Sequence, residues 1–314
     1  MMEKSPLLTV TGLKQHFVIQ KNYTTKAVDG ISFHINEGET FGLVGESGSG
    51  KSTTGRSIIR LTKPTAREII FDGKSIGGQL NKKEWEHLRI HMQMIFQDPM
   101  ACLNPRKKVE DIIAQGLEIH KLCQTEAEKK EKVYAILEKV GLSAEHADRY
   151  PHQFSGGQRQ RIGIARALIM NPKLIIADEA ISALDVSIQA QIVNLMKDIQ
   201  EETNTAILFI AHDLAMVKYI SNRIGVMHLG HIVETGTTEE IFAHAVHPYT
   251  KSLLSAIPHP NPIVEKQRIA LVYDKEKMGV DYTKGMVHTL SETHQVLATK
   301  EELDNWTHEK ALPH

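Results

Sequence analysis

The sequence predicts an α/β fold: a sheet core with an antiparallel β edge, an inserted helical subdomain and a small C-terminal α+β extension. Three observations carry this. First, Gly45-Glu46-Ser47-Gly48-Ser49-Gly50-Lys51-Ser52-Thr53 fits G-x-x-x-x-G-K-[ST] without a gap. It lies between a mostly apolar run, Thr40 to Val44, and a run with helical texture, Thr53 to Leu61. Second, Leu174 to Ala177 and Ala206 to Ala211 are short and nearly all apolar, the pattern of strands buried on both faces of a parallel sheet. Third, the texture between Met100 and Pro172 turns to long amphipathic runs, which marks the helical insertion.

The glycine-rich stretch has the composition of a phosphate cradle. Glycines at 45, 48 and 50 let the backbone turn tightly, so several N–H groups point into one concavity. The helix that follows adds the partial positive charge of its N-terminus. Lys51 is placed to reach β- and γ-phosphates, and Ser52 to set its hydroxyl on Mg²⁺.

In chain order, Leu7 to Ile19 reads as an opening strand containing Phe17, and Ala27 to Ile35 as a second. Asn36 to Glu39 is a turn. Tyr23, between those strands, is expected to stack on adenine, with Phe17 as the substitute ring. Arg67 to Asp72 and Met92 to Phe96 are further strands, the latter followed at once by Gln97-Asp98-Pro99. Val109 to Leu122 is a helix. Thr125 to Val140 is another, opened by the capping box Thr125-x-x-Glu128 and stopped by Gly141.

Ser155-Gly156-Gly157-Gln158 precedes a helix to about Met170, ended by Asn171-Pro172. A serine and two glycines at a helix N-terminus make a second anion cradle. Two cradles in one chain point to two chains facing each other, each phosphate loop meeting the other's Ser-Gly-Gly turn. Asp178-Glu179 closes the strand from Leu174, at the carboxyl end where such sheets bind ligands. Asp178 is the expected Mg²⁺ holder, directly or through water, and Glu179 the general base for an attacking water. Ser182 to Asp185 is a loop, followed by a helix to about Thr203. His212 ends the next strand, placed to bond the γ-phosphate and the water-polarising carboxylate together. Arg223 to Leu229 and His231 to Gly236 form a hairpin around Gly230, and Thr238 to Ala243 a short helix. The division is therefore 1–97 with 173–245 as core, 98–172 as helical subdomain and 246–314 as extension.

Composition excludes little but usefully. Lys plus Arg number 37 and Asp plus Glu 38, a net charge of −1, which gives no support for nucleic acid as a partner. Cys102 and Cys123 have no zinc-type spacing and form no disulfide framework, which fits a reducing, cytosolic compartment. Residues 1–10 hold no apolar core of signal-peptide length, and no window approaches 18 apolar residues, so the chain is not expected to span a membrane by itself.

The phosphate loop, Gln97, Ser155 to Gln158, Asp178-Glu179, Ser182 to Asp185 and His212, in that order, resemble the nucleotide-binding subunit of ABC transporters over residues 5–245. The resemblance implies a P-loop NTPase (RecA-like) core with ATP and Mg²⁺. It implies that Gly45 to Thr53 and Asp178 hold ATP bound to this chain, and that Ser155 to Gln158 with Asp185 serve the composite site between chains. It implies that Gln97 touches the metal and senses the γ-phosphate, and that Lys51, Gln97, Glu179 and His212 support hydrolysis. Gln97 to Met100, Leu103 to Arg106, Tyr150 to Phe154 and His247-Pro248-Tyr249-Thr250-Lys251 resemble the peptide-importer branch. That branch implies a heterodimer with a second, homologous ATPase subunit, on two integral membrane permease subunits at the cytoplasmic face of the membrane. A peptide-binding protein acts indirectly. Oligopeptides are the expected cargo; dipeptide and nickel importers share the motifs and stand as alternatives.

Soluble ABC ATPases of ribosomes or nucleic acid usually carry two cassettes, a long coiled-coil insertion or zinc cysteines, and none appears here. A non-catalytic scaffold is opposed by Glu179 and His212. Two departures from the branch are Ala180, where proline is usual, and the lack of any cysteine after Cys123, so no iron–sulfur cluster is expected. For residues 263–314 the expectation is two strands, Arg268 to Tyr273 and Met286 to Ala298, and a helix from Thr299 through Trp306 opened by Thr299-x-x-Glu302. Its expected role is contact with the partner ATPase.

Overall fold

A strand with every residue buried sits at the centre of the molecule: β3 (Thr40–Val44). The computed structural model describes residues 6–20, 23–182, 184–258, 265 and 270–308. β7 (Leu174–Asp178) and β8 (Ala206–Ala211) are equally buried, so these three need apolar residues on both faces. With β6 (Met92–Ile95) and β9 (Arg223–His228) they form the parallel part of an eight-stranded sheet. β10 (His231–Thr237), β12 (Gln295–Ala298) and β11 (Met286–Thr289) extend it antiparallel, in the order β11-β12-β10-β9-β3-β8-β7-β6. Gly42 in β3 is small of necessity: a Cβ there would strike the side chains of Val217 and Ser221.

A separate antiparallel sheet covers one side, ordered β2-β1-β4-β5. Its strands are β1 (Leu8–Gln20), β2 (Tyr23–Ile35), β4 (Ala66–Phe71) and β5 (Lys74–Ser75). Leu8, Val28, Ile35 and Phe71 turn inward, and Phe33 stacks on Phe41 of β3 at 5.1 Å between centroids. A stacked buried pair of this kind adds roughly 0.5–1.5 kcal/mol beyond its area.

α1 (Lys51–Ile58) starts at Lys51, two residues before the helical run expected from the sequence. α2 (Lys82–His91) was not expected; Asn81 and Glu84 cap it reciprocally. The segment between β6 and β7 is helical: α3 (Pro99–Cys102), α4 (Val109–Ile119), α5 (Glu126–Lys139) and α6 (Gly156–Leu168). α4 buries Ile112, Ile113 and Leu117, α5 buries Val133 and Leu137, and α6 buries Ile162, Ile164 and Leu168. α7 (Val186–Thr203), α8 (Leu214–Ile220) and α9 (Thr238–His244) complete the core.

The C-terminal part differs from expectation. Of the expected strand, Arg268 and Ile269 lie outside the described residues, and 270–273 is not a strand; Tyr273 instead packs its ring 5.4 Å from that of Tyr249. Met286 to Ala298 is not one strand but the hairpin β11–β12, closed by Leu290 N–H on the His294 carbonyl at 2.8 Å. β12 then pairs with β10, so the extension joins the main sheet. α10 (Pro248–Ser255) and α11 (Lys300–His308) flank it, and the Thr299–Glu302 capping box is present. Among the described residues no helix is long and apolar enough to cross a membrane, and Cys102 and Cys123 are free thiols.

Candidate active site

The register brings the sequence motifs to one edge. Val44 of β3 lies beside Ala211 of β8, and Asp178 of β7 beside Ile210 of β8. The residues that follow, Gly45, His212 and Glu179, thus emerge together at the carboxyl end of the parallel sheet. Gly45, Gly48 and Gly50 all have positive φ. At Gly50, N-cap of α1, φ is 106°, and a Cβ there would run into the Ala27 carbonyl oxygen. The loop is therefore shaped by backbone conformations that side chains resist.

Lys51 is buried and its ammonium is folded onto its own loop. It donates to the carbonyls of Gly45 at 2.6 Å and Glu46 at 2.8 Å, and lies 3.4 Å from Ser49 Oγ. Burial holds its pKa below the ordinary lysine value; the charges of Glu179, Asp178 and Glu46 pull the other way. Its N–H donors meet oxygen acceptors alone, the chemistry that a phosphate group also offers. Ser52 and Thr53 are half-buried in the first turn of α1.

Asp178 is 2 % exposed. Its Oδ2 takes a long contact, 3.5 Å, from the Arg56 guanidinium, and its buried Oδ1 has no hydrogen-bond partner among the described residues. An orphaned carboxylate oxygen at a sheet edge is costly unless something cationic completes it. With the Ser52 hydroxyl in the first turn of α1, the donors are hard oxygens, which fits Mg²⁺. Arg56 was not anticipated; its position five residues after Lys51 carries no motif.

Glu179 adopts φ 47°, unusual for a non-glycine residue. Its N–H donates to the Ile210 carbonyl at 3.0 Å, and Ser182 bonds its carbonyl through both N–H (3.1 Å) and Oγ (3.0 Å). Its carboxylate accepts from Gln97 Nε2 at 2.8 Å, and Gln97 Nε2 also lies 3.5 Å from Ser182 Oγ. Gln97 thus engages the carboxylate expected to act as base. Glu179, Ser182, His212 and Asp213 line one small cleft of about 40 Å³, room for water and little else.

The Ser155 turn is built as expected but stands apart. Ser155 is the N-cap of α6; Gln158 N–H donates to its Oγ at 3.3 Å, and Ser155 N–H donates to Gln158 Oε1 at 3.0 Å. Gly157 is tight against Ile188, and Ser155 and Gly156 are exposed. Among the described residues, none of this turn's hydrogen bonds reaches the phosphate loop. Asp185, N-cap of α7, is exposed and makes no side-chain cap bond. Tyr23 begins β2, but its side chain lies outside the described residues. Phe17 is 40 % exposed.

A phosphate loop, a buried carboxylate at the next-but-one strand and a helical insertion ending in a Ser-Gly-Gly-Gln cap define a P-loop ATP-binding cassette. The sequence matches the family described as ABC transporter over residues 28–182, and the oligopeptide/dipeptide transporter C-terminal region over 233–278. The chain is 60 % identical over 268 residues to the oligopeptide transport ATP-binding protein OppF of Bacillus subtilis, covering 85 % of this chain and 88 % of that one. It is 55 % identical over 302 residues to OppF of Streptococcus mutans, covering 95 % and 96 %. A dimeric, post-hydrolysis ATP-binding cassette bound to ADP and Pi superimposes with a TM-score of 0.68 at 26 % identity, over 74 % of this chain and 98 % of that one. CbiO1 of Clostridium perfringens, part of the ABC transporter complex CbiONQ, gives 0.67 at 29 % identity, over 77 % and 92 %. The chain belongs to the ATPases of the ABC transporter family, in their oligopeptide/dipeptide transport branch.

Proposed function

We propose that this chain is one of two ATPase subunits that drive an oligopeptide importer from the cytoplasmic face of the membrane. Its partners are a second, homologous ATPase subunit and two integral permease subunits, with a peptide-binding protein acting indirectly. Dipeptides are the alternative cargo, since the dipeptide transport protein DppF of Lactococcus lactis is also 56 % identical over 276 residues. The core is 1–97 with 173–245, the helical subdomain 98–172 and the extension 246–314.

The observation that carries the motor reading is the split between two half-sites. Lys51, Asp178, Glu179 and His212 converge at the sheet edge, while the Ser155–Gln158 turn, exposed at Ser155 and Gly156, is capped on itself and bonded to none of them. An exposed helix N-terminus of this build fits a γ-phosphate held on a facing chain. ATP held by Gly45 to Thr53, with Tyr23 on the adenine, would touch both chains only when they close. Such differential affinity is what closes the pair.

Ser52, Asp178 and Gln97 are the residues that would hold Mg²⁺, which when bound neutralises charge on the phosphates. Lys51 leaves the Gly45 and Glu46 carbonyls for phosphate oxygens. Gln97 releases Glu179, which takes the proton of the attacking water, and His212 orients water and phosphate across the shared cleft. No iron–sulfur cluster is part of the proposal, because no cysteine follows Cys123.

The test is a disulfide between a cysteine at position 49 and one in the partner's Ser-Gly-Gly turn, with Cys102 and Cys123 replaced. The bond is expected with ATP and not without it; its absence under saturating ATP refutes the facing arrangement. Isolation from membranes is expected to bring two integral subunits, whereas recovery with ribosomal RNA or DNA overturns the transport reading.

A further inference from the structure

His247-Pro248-Tyr249 opens α10, and its geometry is fixed from two sides. His247 Nδ1 accepts the Tyr249 N–H at 3.0 Å. The N–H groups of Val246 and His247 donate to the buried Glu234 carboxylate at 2.7 and 3.2 Å, and His294 Nε2 meets the same carboxylate at 2.8 Å. The Tyr249 ring is 1 % exposed and packs 4.2 Å from the His228 ring. All of this aims one polar atom. The Tyr249 hydroxyl oxygen accepts the N–H of Glu46, in the phosphate loop, at 2.9 Å.

That N–H belongs to the Gly45–Glu46 peptide unit, whose carbonyl accepts the Lys51 ammonium at 2.6 Å. A trans peptide is planar, with N–H and C=O on opposite sides. Tyr249 therefore grips one end of the plane and Lys51 the other, and rotating the plane breaks both bonds. Gly45 has no side chain to hold the plane, and a Cβ there would run into the Met227 carbonyl oxygen.

We infer that Tyr249 is a positioning residue of the nucleotide site: its hydroxyl sets the Gly45–Glu46 peptide and, through that carbonyl, the Lys51 ammonium. It touches no nucleotide itself. The inference rests on the reading of residues 45–53 as the ATP cradle. Burial pushes the Tyr249 phenol up to about 12, so it stays a neutral hydroxyl at physiological pH. The C-terminal extension thereby acquires a direct hold on ATP affinity, from 203 residues away along the chain.

The test uses the purified full chain with a fluorescent ATP analogue, and KM and kcat of the membrane-assembled ATPase. Tyr249→Phe keeps the ring and removes the hydroxyl. It is expected to weaken binding and raise KM roughly 3- to 10-fold, the worth of one hydrogen bond, with kcat at saturating ATP within about twofold. Val133→Ala opens a cavity on the buried face of α5, away from α10 and the loop; it is expected to lower the melting temperature and leave KM alone. Unchanged KM in a folded Tyr249→Phe, or an equal rise in Val133→Ala, overturns the inference. Lys51→Ala separates the two levels. If it abolishes binding while Tyr249→Phe has no effect, only the positioning role fails; if it leaves binding intact, the cradle reading fails and the inference with it.

Discussion

Glu179→Gln is the sharpest perturbation of the proposed chemistry, because the structure predicts that it changes almost nothing else. Among the described residues the side chain accepts one hydrogen bond, from Gln97 Nε2 at 2.8 Å, and a glutamine carbonyl oxygen accepts the same bond. The backbone at φ 47° is held by Ser182 and Ile210, whose partners are main-chain atoms and survive the change. What disappears is a negative charge and a proton acceptor. Glu179 is the largest of the charges that favour the Lys51 ammonium, so its removal takes a negative group away from the phosphates and ATP affinity does not fall. A positioned base is worth roughly 10²–10⁴-fold in rate, so the variant should hydrolyse at least about 10²-fold more slowly, or about 2.7 kcal/mol at ~1.36 kcal/mol per decade. The assay is phosphate release from an assembled ATPase whose other composite site is disabled, with ATP-dependent retention of the closed pair by size-exclusion chromatography. Hydrolysis within threefold of the parent, at unchanged ATP binding, would refute the general-base assignment.

Two further outcomes follow from packing and burial. Gly50→Ala forces a Cβ toward the Ala27 carbonyl at φ 106°, and is expected to cost about 2–4 kcal/mol, read as a lower urea midpoint, with loss of ATP binding; a normally stable, nucleotide-binding variant would contradict the loop geometry. Stability is also expected to fall on mild acidification. Burial lowers His247 to about 3, aided by His228 and Lys251, and lowers His228 to about 4, aided by Lys275 and His231. The unfolded chain takes up these protons near the ordinary 6.5 and the folded chain does not, so their contribution is complete above about 6.5 and is lost as pH falls below it, by up to about 1.4 kcal/mol per pH unit for each group. Denaturation midpoints at pH 7 and pH 5 measure this, and a flat profile would show that neither ring stays neutral in the fold.

The parts of the site that were readable are those whose chemistry is local. The phosphate loop is legible because tight positive-φ turns, an ammonium and a helix start must follow one another within nine residues, and Asp178-Glu179 because a wholly apolar run cannot end in two carboxylates without a reason. α2 escaped because only Leu88 of its ten residues is buried, so no apolar period exists to be seen, although Asn81-x-x-Glu84 was a start signal in plain view. The run 270–273 read as strand because its residues are apolar or aromatic, yet Tyr273 is spent on an edge-on contact with Tyr249 rather than on a ladder. Arg56 against Asp178 and Tyr249 against Glu46 were illegible for a different reason. Each pair is created by the order in which strands lie side by side, and a partner 122 or 203 residues away leaves no mark on the local pattern. That asymmetry has a functional consequence. Groups that must meet the phosphates are written into contiguous motifs, whereas groups that only steady those motifs are supplied from wherever the sheet happens to bring an element close. A phosphate loop of the same residues would therefore hold its lysine differently on a chain that lacks the α10 tyrosine, with every reacting group unchanged.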